Sequence, residues 1–519
     1  MTSSDAITES KPRGKDRLAR SSYPRIMLMT WGLCSLAWLS IALDHLSHLF
    51  DHFAETFDFG VFFQAATLLA RGQWNPYISI WGITNYPKWG IPFIANHMEL
   101  LMWPLSLVIR LFPSGFALLV IEAIFLTLTQ LLVCHWISKV VWPHLTNLAS
   151  RALFIGSLVL FVYGNAWWLA ATSFSFHLEP ISTFLLLLTA YLYYYDRRLL
   201  SFIAALLLCL SGVTQALYLV GLGLGLWLLD RRGNRSALLF PLLGVSTYVV
   251  AATLNLNAGT PFAELYGYLG GGTPVQALQA ILHNPVPLLH QVRKNLGPAS
   301  ELLIAGGPLG IIDWLAGLVV LLIMVPEWFA GTNIFLTQLA AFQTIAIQPF
   351  LPLGGAFLYV RVRTAARSLL FWGWLVVFVA TVLAACYTLP QAVRGAFAVD
   401  NYVPRTAAVQ LSRVIDRISP DSEVIVPDGI AGRFAGRRYV YPIIAPSLLK
   451  FPVWASPTYI VLPKDFTGFE GVPGSYYASL AAHLEAEHRP GWHVWISNPA
   501  ITVFVVESNH MGRYIDLSS

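Results

Sequence analysis

The sequence predicts an α-helical polytopic membrane protein that carries a small soluble α/β domain at its C-terminal end. Three observations lead there. Charged residues make up only 11% of the 519 residues, against roughly 25% in soluble globular chains. Apolar runs recur from Arg25 to Pro390, each at or near the ~20 residues that cross a bilayer. From about Asp400 the composition turns ordinary and the apolar runs shorten to strand length. The first two observations exclude a soluble enzyme. They also exclude a β-barrel, whose strands alternate over ~10 residues instead of staying apolar throughout. The net charge of +5 is small for this length, and basic residues cluster beside apolar runs, so nucleic-acid binding has nothing to rest on.

Residues 1–25 form a basic tail in which Lys11, Arg13, Lys15, Arg17, Arg20 and Arg25 outnumber Asp5, Glu9 and Asp16. The apolar run Ile26–Leu43 follows without a small-residue cleavage signature, which reads as an uncleaved signal anchor. Positive charge ahead of it keeps the N-terminus in the cytoplasm. Residues 44–96 then become a long extracytoplasmic loop. Further spans are expected at Gly115–Ile137, Ala152–Thr172, Glu179–Tyr195, Leu199–Val213, Thr214–Leu229 and Ser236–Leu256. Three more are expected at Leu302–Met324, Ile334–Tyr359 and Leu369–Leu389. The segment His97–Phe112 is apolar but short and interrupted by Pro104. If it is re-entrant, the clusters Arg197/Arg198, Arg231/Arg232/Arg235 and Arg361/Arg363/Arg367 all fall on the cytoplasmic side.

The membrane domain thus covers residues 26–400, and the same parity places residues 401–519 outside the cell membrane. In that last part strands are expected at Val424–Val426, Tyr439–Ile443, Tyr459–Leu462, Trp492–Ile496 and Ile501–Val506, with helices at Thr406–Ile418 and Tyr476–Glu487. Cys34, Cys134, Cys209 and Cys386 lie inside apolar runs without CxxC spacing. They read as small core hydrophobes, and the extramembrane parts lack any cysteine for a disulfide or a thiolate zinc site.

Candidate functional residues gather at the extracytoplasmic ends of spans. In the first loop Phe57, Val61, Phe62, Ala65, Leu68 and Leu69 follow a helical spacing, while Asp58 and Gln64 fall off that stripe. The pattern suits an amphipathic helix lying along the outer membrane surface. Asp58 would face the membrane–water boundary, or would simply cap the helix. His97, with Glu99 two residues on, and the pair His177 and Glu179 lie at the same level. Ionisable groups there are costly unless paired or used; an interfacial packed histidine is the bland alternative. Two histidines and three carboxylates from separate loops would also suit a divalent metal or a phosphate, though no HExxH spacing points to zinc. Gln215 interrupts an apolar region and would either line a cavity or bridge two helices. Arg293 and Lys294 are outer-side cations, against the usual charge bias, and suit an anionic ligand such as a lipid phosphate.

The segments FDFGVFFQ, ANHMEL, FHLEP and ELYGYLG, with the tail pattern ISPDSEVIVPDGIAGRFAGRRYVYP…PTYIVLP, resemble the predicted membrane proteins of domain-of-unknown-function family 2079. The resemblance runs in order from about Asp44 to Val506. The chain departs from it at Ser175, at Val213-Thr214-Gln215 and around Gln343-Thr344. That family looks related to the GT-C glycosyltransferases, which take polyprenyl-phosphate-linked sugars at the outer membrane face. The resemblance implies a GT-C-like transmembrane core and a polyprenyl-phosphate-linked sugar donor. Its acceptor would be an envelope glycan, lipid or protein, and Asp58 the catalytic base. Gln64, His97, His177, Glu179, Gln215, Arg293 and Lys294 would then bind substrate, with or without a metal ion. The rival readings are a transporter or flippase of an anionic lipid or envelope precursor, and a non-catalytic envelope-assembly protein.

Overall fold

A backbone surrounded by hydrocarbon must satisfy its own amides, and a helix does so within one segment. The computed structural model describes residues 25–55, 57–82, 85–96, 98–173, 176–229, 235–254, 265–270, 272–337, 341–364, 368–397, 402–464, 472–507 and 513–518. Its apolar stretches are helical. They run as α1 (Arg25–Asp51), α2 (Phe57–Ala70), α3 (Met102–Leu111), α4 (Phe116–Val141), α5 (Leu148–Leu158) and α6 (Ala166–Ser173). Next come α7 (Glu179–Tyr194), α8 (Arg198–Cys209), α9 (Val213–Leu229), α10 (Leu239–Thr253), α11 (Pro274–His283) and α12 (Val286–Lys294). The helical part closes with α13 (Leu296–Gly306), α14 (Trp314–Phe329), α15 (Ile347–Thr364) and α16 (Ser368–Ala396). Helix α1 packs on α4, α4 on α15, and α9 on both α10 and α14.

Five stretches among the described residues are long and apolar enough to cross a membrane: Arg25–Asp51, Phe116–His144, Leu148–Ser173, Arg235–Thr253 and Ala341–Arg363. The expected spans at Glu179–Tyr195, Leu199–Val213 and Thr214–Leu229 are apolar helices of 16, 12 and 17 residues. At 1.5 Å per residue they rise only about 18 to 26 Å, less than the ~30 Å hydrocarbon core. The His97–Phe112 segment yields only the ten-residue α3.

The expected single span Leu302–Met324 is broken in two. Gly307, at φ +94°, ends α13, and Asp313 starts α14 by accepting hydrogen bonds from the amides of Leu315 and Ala316. That carboxylate is fully buried and also pairs with Arg361 at 2.8 Å. Periodicity alone runs straight through such a break because both halves are equally apolar. Between α5 and α6 a π-turn at Val159–Tyr163 interrupts the helix. Just beyond it Asn165 donates to Gln348 Oε1 at 2.6 Å, and Gln348 donates to the Leu302 carbonyl at 3.3 Å. Three helices are pinned there by amides in a dry core. All four cysteines are free.

The C-terminal part adds α17 (Arg405–Arg417), α18 (Asp428–Phe434) and α19 (Gly474–Glu487) to a five-stranded sheet. The strands are β3 (Glu423–Pro427), β4 (Tyr439–Ile443), β6 (Thr458–Pro463), β7 (Trp492–Ser497) and β8 (Ile501–Val506), in the order β4-β3-β6-β8-β7. The sheet is mixed: β3 pairs in parallel with β4 and β6, while β8 runs antiparallel to β6 and β7. Two small antiparallel pairs complete the strands, β1 (Tyr77–Ile78) with β2 (Ile91–Pro92) and β5 (Lys450–Pro452) with β9 (Tyr514–Asp516). Every residue of β3 and β8 is buried. On α17 the buried positions Ala407, Ala408, Leu411 and Val414 form the stripe that covers the sheet.

Glu423 opens β3 with no exposed surface. It accepts hydrogen bonds from the Tyr441 hydroxyl (3.1 Å), the Trp454 amide (2.6 Å) and the Thr458 hydroxyl (3.1 Å). Burial pushes its carboxyl up to about 7, although those hydrogen bonds pull it down. A carboxyl raised in the folded state favours folding below its unfolded value, near 4.5, and that contribution is lost as pH rises through about 7. The domain should therefore lose up to about 3 kcal/mol between those limits. Glu423→Gln should flatten this dependence. Hydrogen exchange at residues 424–426 of the full chain, followed against pH, reads it directly. A wild-type protection profile as flat as that of the variant would contradict the assignment.

Candidate functional site

Helix α2 does not lie on a surface. Residues 59–69 are buried without interruption, so the expected amphipathic surface helix is corrected to a helix covered on every face. Its apolar stripe meets α3, and its other face meets the C-terminal domain through α18. A Cβ on Gly60 would lie 3.1 Å from Gly432 Cα, so the two helices touch backbone to backbone. A half-apolar face at this spacing reads alike whether lipid or protein covers it. The second cover comes from residues several hundred positions away.

Gln64 explains how the polar face is accommodated. It is fully buried. Its amide donates to Ser79 Oγ (2.9 Å) and to the carbonyls of Arg437 and Arg438 (both 3.1 Å), while its oxygen accepts from the Ile80 amide at 3.2 Å. Ser79 in turn accepts from the Val440 amide at 2.8 Å. Gln64 thus joins α2 and the strand-like segment after it to the start of β4. Nearby, Arg433 of α18 donates to the Phe50 carbonyl and lies 3.6 and 4.5 Å from the ring centroids of Phe50 and Phe53.

Asp58 stands in the first turn of α2, one residue inside it, with a quarter of its side chain exposed. Its Oδ2 lies 3.8 Å from His177 Nε2. The imidazole of His177 stacks on Phe342, with centroids 3.8 Å apart, and receives the edge of Phe62 at 5.4 Å. Two residues on, Glu179 Oε1 accepts from Gln215 at 2.9 Å. Glu179 also lies close enough to His177 and Asp58 to feel their charges. The loop before α3 is tied to the end of α8 by the Leu101 amide, which donates to the Leu210 carbonyl at 2.9 Å. That tie carries Glu99 into the same cluster. Burial, then the charges of Glu179 and Asp58, hold the Glu99 carboxyl well above the usual range. Glu99 is therefore a buried acid in the neighbourhood of a carboxylate that is one-quarter exposed.

The structure thus brings Asp58, His177, Glu179 and Gln215 together. His97 lies outside the described residues. Arg293 and Lys294 are elsewhere, exposed at the end of α12. Helices α11 and α12 carry an exposed apolar stripe of Val275, Leu278, Leu282, Val286 and Leu289. Among the described residues, no three of His, Cys, Asp and Glu are placed to hold a metal ion, and no Lys or Arg is paired with these carboxylates. One member was missed in the sequence. Glu122 is fully buried in α4, has neither oxygen hydrogen-bonded, and lies near enough to Glu179 to feel its charge. Its signal was there: a lone acid in the middle of an apolar run.

A family model for predicted membrane proteins, DUF2079, matches residues 49–463, from the end of α1 to the end of β6. The chain belongs to the DUF2079 family. No curated protein matches the sequence. The DUF2079 region contains every member of the carboxylate–histidine cluster. It also contains β3, β4 and α18, so α2 and the part of the C-terminal domain docked on it are matched as one stretch. The Gln64 contacts to Arg437 and Arg438 therefore lie wholly inside the DUF2079 match.

Proposed function

We propose that this DUF2079 protein is a membrane-embedded glycosyltransferase with a GT-C-like core. It would use a polyprenyl-phosphate-linked sugar at the outer face of the cell membrane. The observation that carries this reading is the pairing of a partly exposed carboxylate, Asp58, with His177 at 3.8 Å beside the buried acid Glu99. Asp58 accepts the acceptor hydroxyl's proton as the anomeric carbon loses its lipid-phosphate leaving group. His177, clamped between Phe342 and Phe62, sits where it can steady the Asp58 carboxylate and the hydroxyl. A phosphate leaves as an anion without needing a strong acid, so the chemistry asks chiefly for a base and for donors to the departing oxygen. Burial of Glu99 favours its neutral form, which would add no negative charge against that anion. Arg293 and Lys294 suit a lipid phosphate at the membrane interface, beside an apolar stripe fit to lie in it. The N-terminus is then cytoplasmic and the C-terminal domain extracytoplasmic.

A deletion strain should accumulate a lipid-linked sugar and lack the matching envelope glycan, both restored by the wild-type gene. A periplasm-active reporter fused after Val506 should be active. An unchanged lipid-linked sugar pool, or a reporter active only in the cytoplasm, would remove the proposal. One observation favours a second reading, transport coupled to a proton or cation: the unpaired Glu122 deep in α4, with the unpartnered amide of Gln130 two turns on. Buried ionisable groups of that kind line proton routes.

A further inference from the structure

An apolar cavity of about 190 Å³ opens between α4, α5, α15 and α16. It lies at the far end of these helices from Asp58. Helix α4 begins beside α2, where a Cβ on Gly115 would touch Phe59, and the cavity meets α4 only at Ile137 and Val141. Its wall is mostly hydrocarbon, with Leu153, Phe154, Phe161, Leu351, Phe371 and Phe378 among the lining residues, and the Trp374 indole is one of its few polar groups. Two hydroxyls that reach it are already used: Ser157 donates to the Leu153 carbonyl at 2.7 Å and Thr381 to the Val377 carbonyl at 2.8 Å. An apolar cavity of even ~150 Å³ stays dry and takes up hydrocarbon. Of the surrounding helices, α4, α5 and α15 belong to stretches long and apolar enough to cross a membrane, and α16 carries a shorter apolar one, so the hydrocarbon at hand is a lipid chain.

The rim carries charge. The Arg363 guanidinium lies 5.8 Å from the ring centroid of Phe371, a wall residue. Arg151 follows the wall residue Ser150 and lies 4.9 Å from the Trp142 ring, which abuts Phe154 at 6.4 Å. Both arginines are exposed, and neither is ion-paired among the described residues. Arg361, by contrast, is committed to Asp313. Unneutralised guanidinium groups at the mouth of a hydrocarbon slot recognise a lipid with an anionic phosphate.

We propose that this cavity binds one acyl chain of an anionic phospholipid, with its phosphate at the rim formed by Arg151 and Arg363. The site is separate from the carboxylate–histidine cluster and does not depend on the transfer reaction. The test uses full-length protein in phosphatidylcholine vesicles doped with phosphatidylglycerol bearing a diazirine in one chain. Photolabel should map to residues 150–161 and 371–381. Gly355 lines the cavity and a Cβ there meets nothing within 4 Å, so Gly355→Leu grows into the space while improving helix propensity. Labelling should fall at least about tenfold, the loss expected when two methylenes are kept out. Ser157→Leu fills the cavity from another wall and serves if the first variant misfolds. The double variant Arg151→Gln/Arg363→Gln should reduce labelling to that given by diazirine-phosphatidylcholine. Labelling untouched by a folded cavity-filling variant, or equal for the two lipids in the wild type, overturns the site. Displacement of the label by a polyprenyl phosphate but not by unlabelled phosphatidylglycerol overturns the choice of phospholipid.

Discussion

Turnover of Asp58→Asn should fall by roughly two to four powers of ten, the usual contribution of a positioned base, while fold and donor affinity stay nearly unchanged. Asparagine keeps the shape of aspartate and is as well tolerated at the start of a helix. It cannot take up a proton. Donor binding should hold because a carboxylate contributes no attraction to a lipid phosphate. Asp58→Ala separates the rival explanation: a residue that merely caps α2 would cost about 1 kcal/mol as alanine and almost nothing as asparagine. The measurement is turnover by purified protein with a polyprenyl-phosphate-linked sugar, beside a thermal melt of each variant. Full activity of Asp58→Asn would take Asp58 out of the mechanism and leave the base to be sought elsewhere.

Gln64→Leu should weaken the attachment of the C-terminal domain by roughly 3 to 5 kcal/mol, since several buried polar groups lose their partners at once. Leucine is close to glutamine in volume, so the loss reports hydrogen bonds rather than a cavity. The carbonyls of Arg437 and Arg438 and the Ile80 amide would all be stranded. Hydrogen exchange should rise at residues 77–80 and 438–441 together, with faster proteolysis of the C-terminal domain. Gln64→Glu should be at least as damaging, because it buries a charge against two carbonyl oxygens. Had Gln64 bound substrate, Gln64→Leu would instead raise KM and leave the melting temperature alone.

Local chemistry made much of this molecule legible in advance. The strands Tyr439–Ile443 and Ile501–Val506 appear with the expected bounds, because short β-branched runs between turn residues have few alternatives. His177 and Glu179 stand out in the sequence because charge is expensive at the end of an apolar helix. What stayed hidden depends on distant partners. Gln64 looked like a candidate for substrate because its acceptors, the carbonyls of Arg437 and Arg438, lie more than 370 residues away. The break at Gly307–Asp313 was masked by uniformly apolar flanks, and the carboxylate that creates it needs Arg361 from another helix.

The docking of α2 between the helices and the C-terminal domain has a consequence for synthesis. Gln64 leaves the ribosome 373 residues before Arg437, a delay of roughly 20 to 75 s at 5–20 residues per second. Through that interval the side chain that fixes α2 has water or a chaperone for company, and Asp58 rides on an element with only one of its two walls. Long-range contacts of this kind close last. The nascent protein therefore completes the packing of α2, and with it the seat of Asp58, only once the final domain has folded.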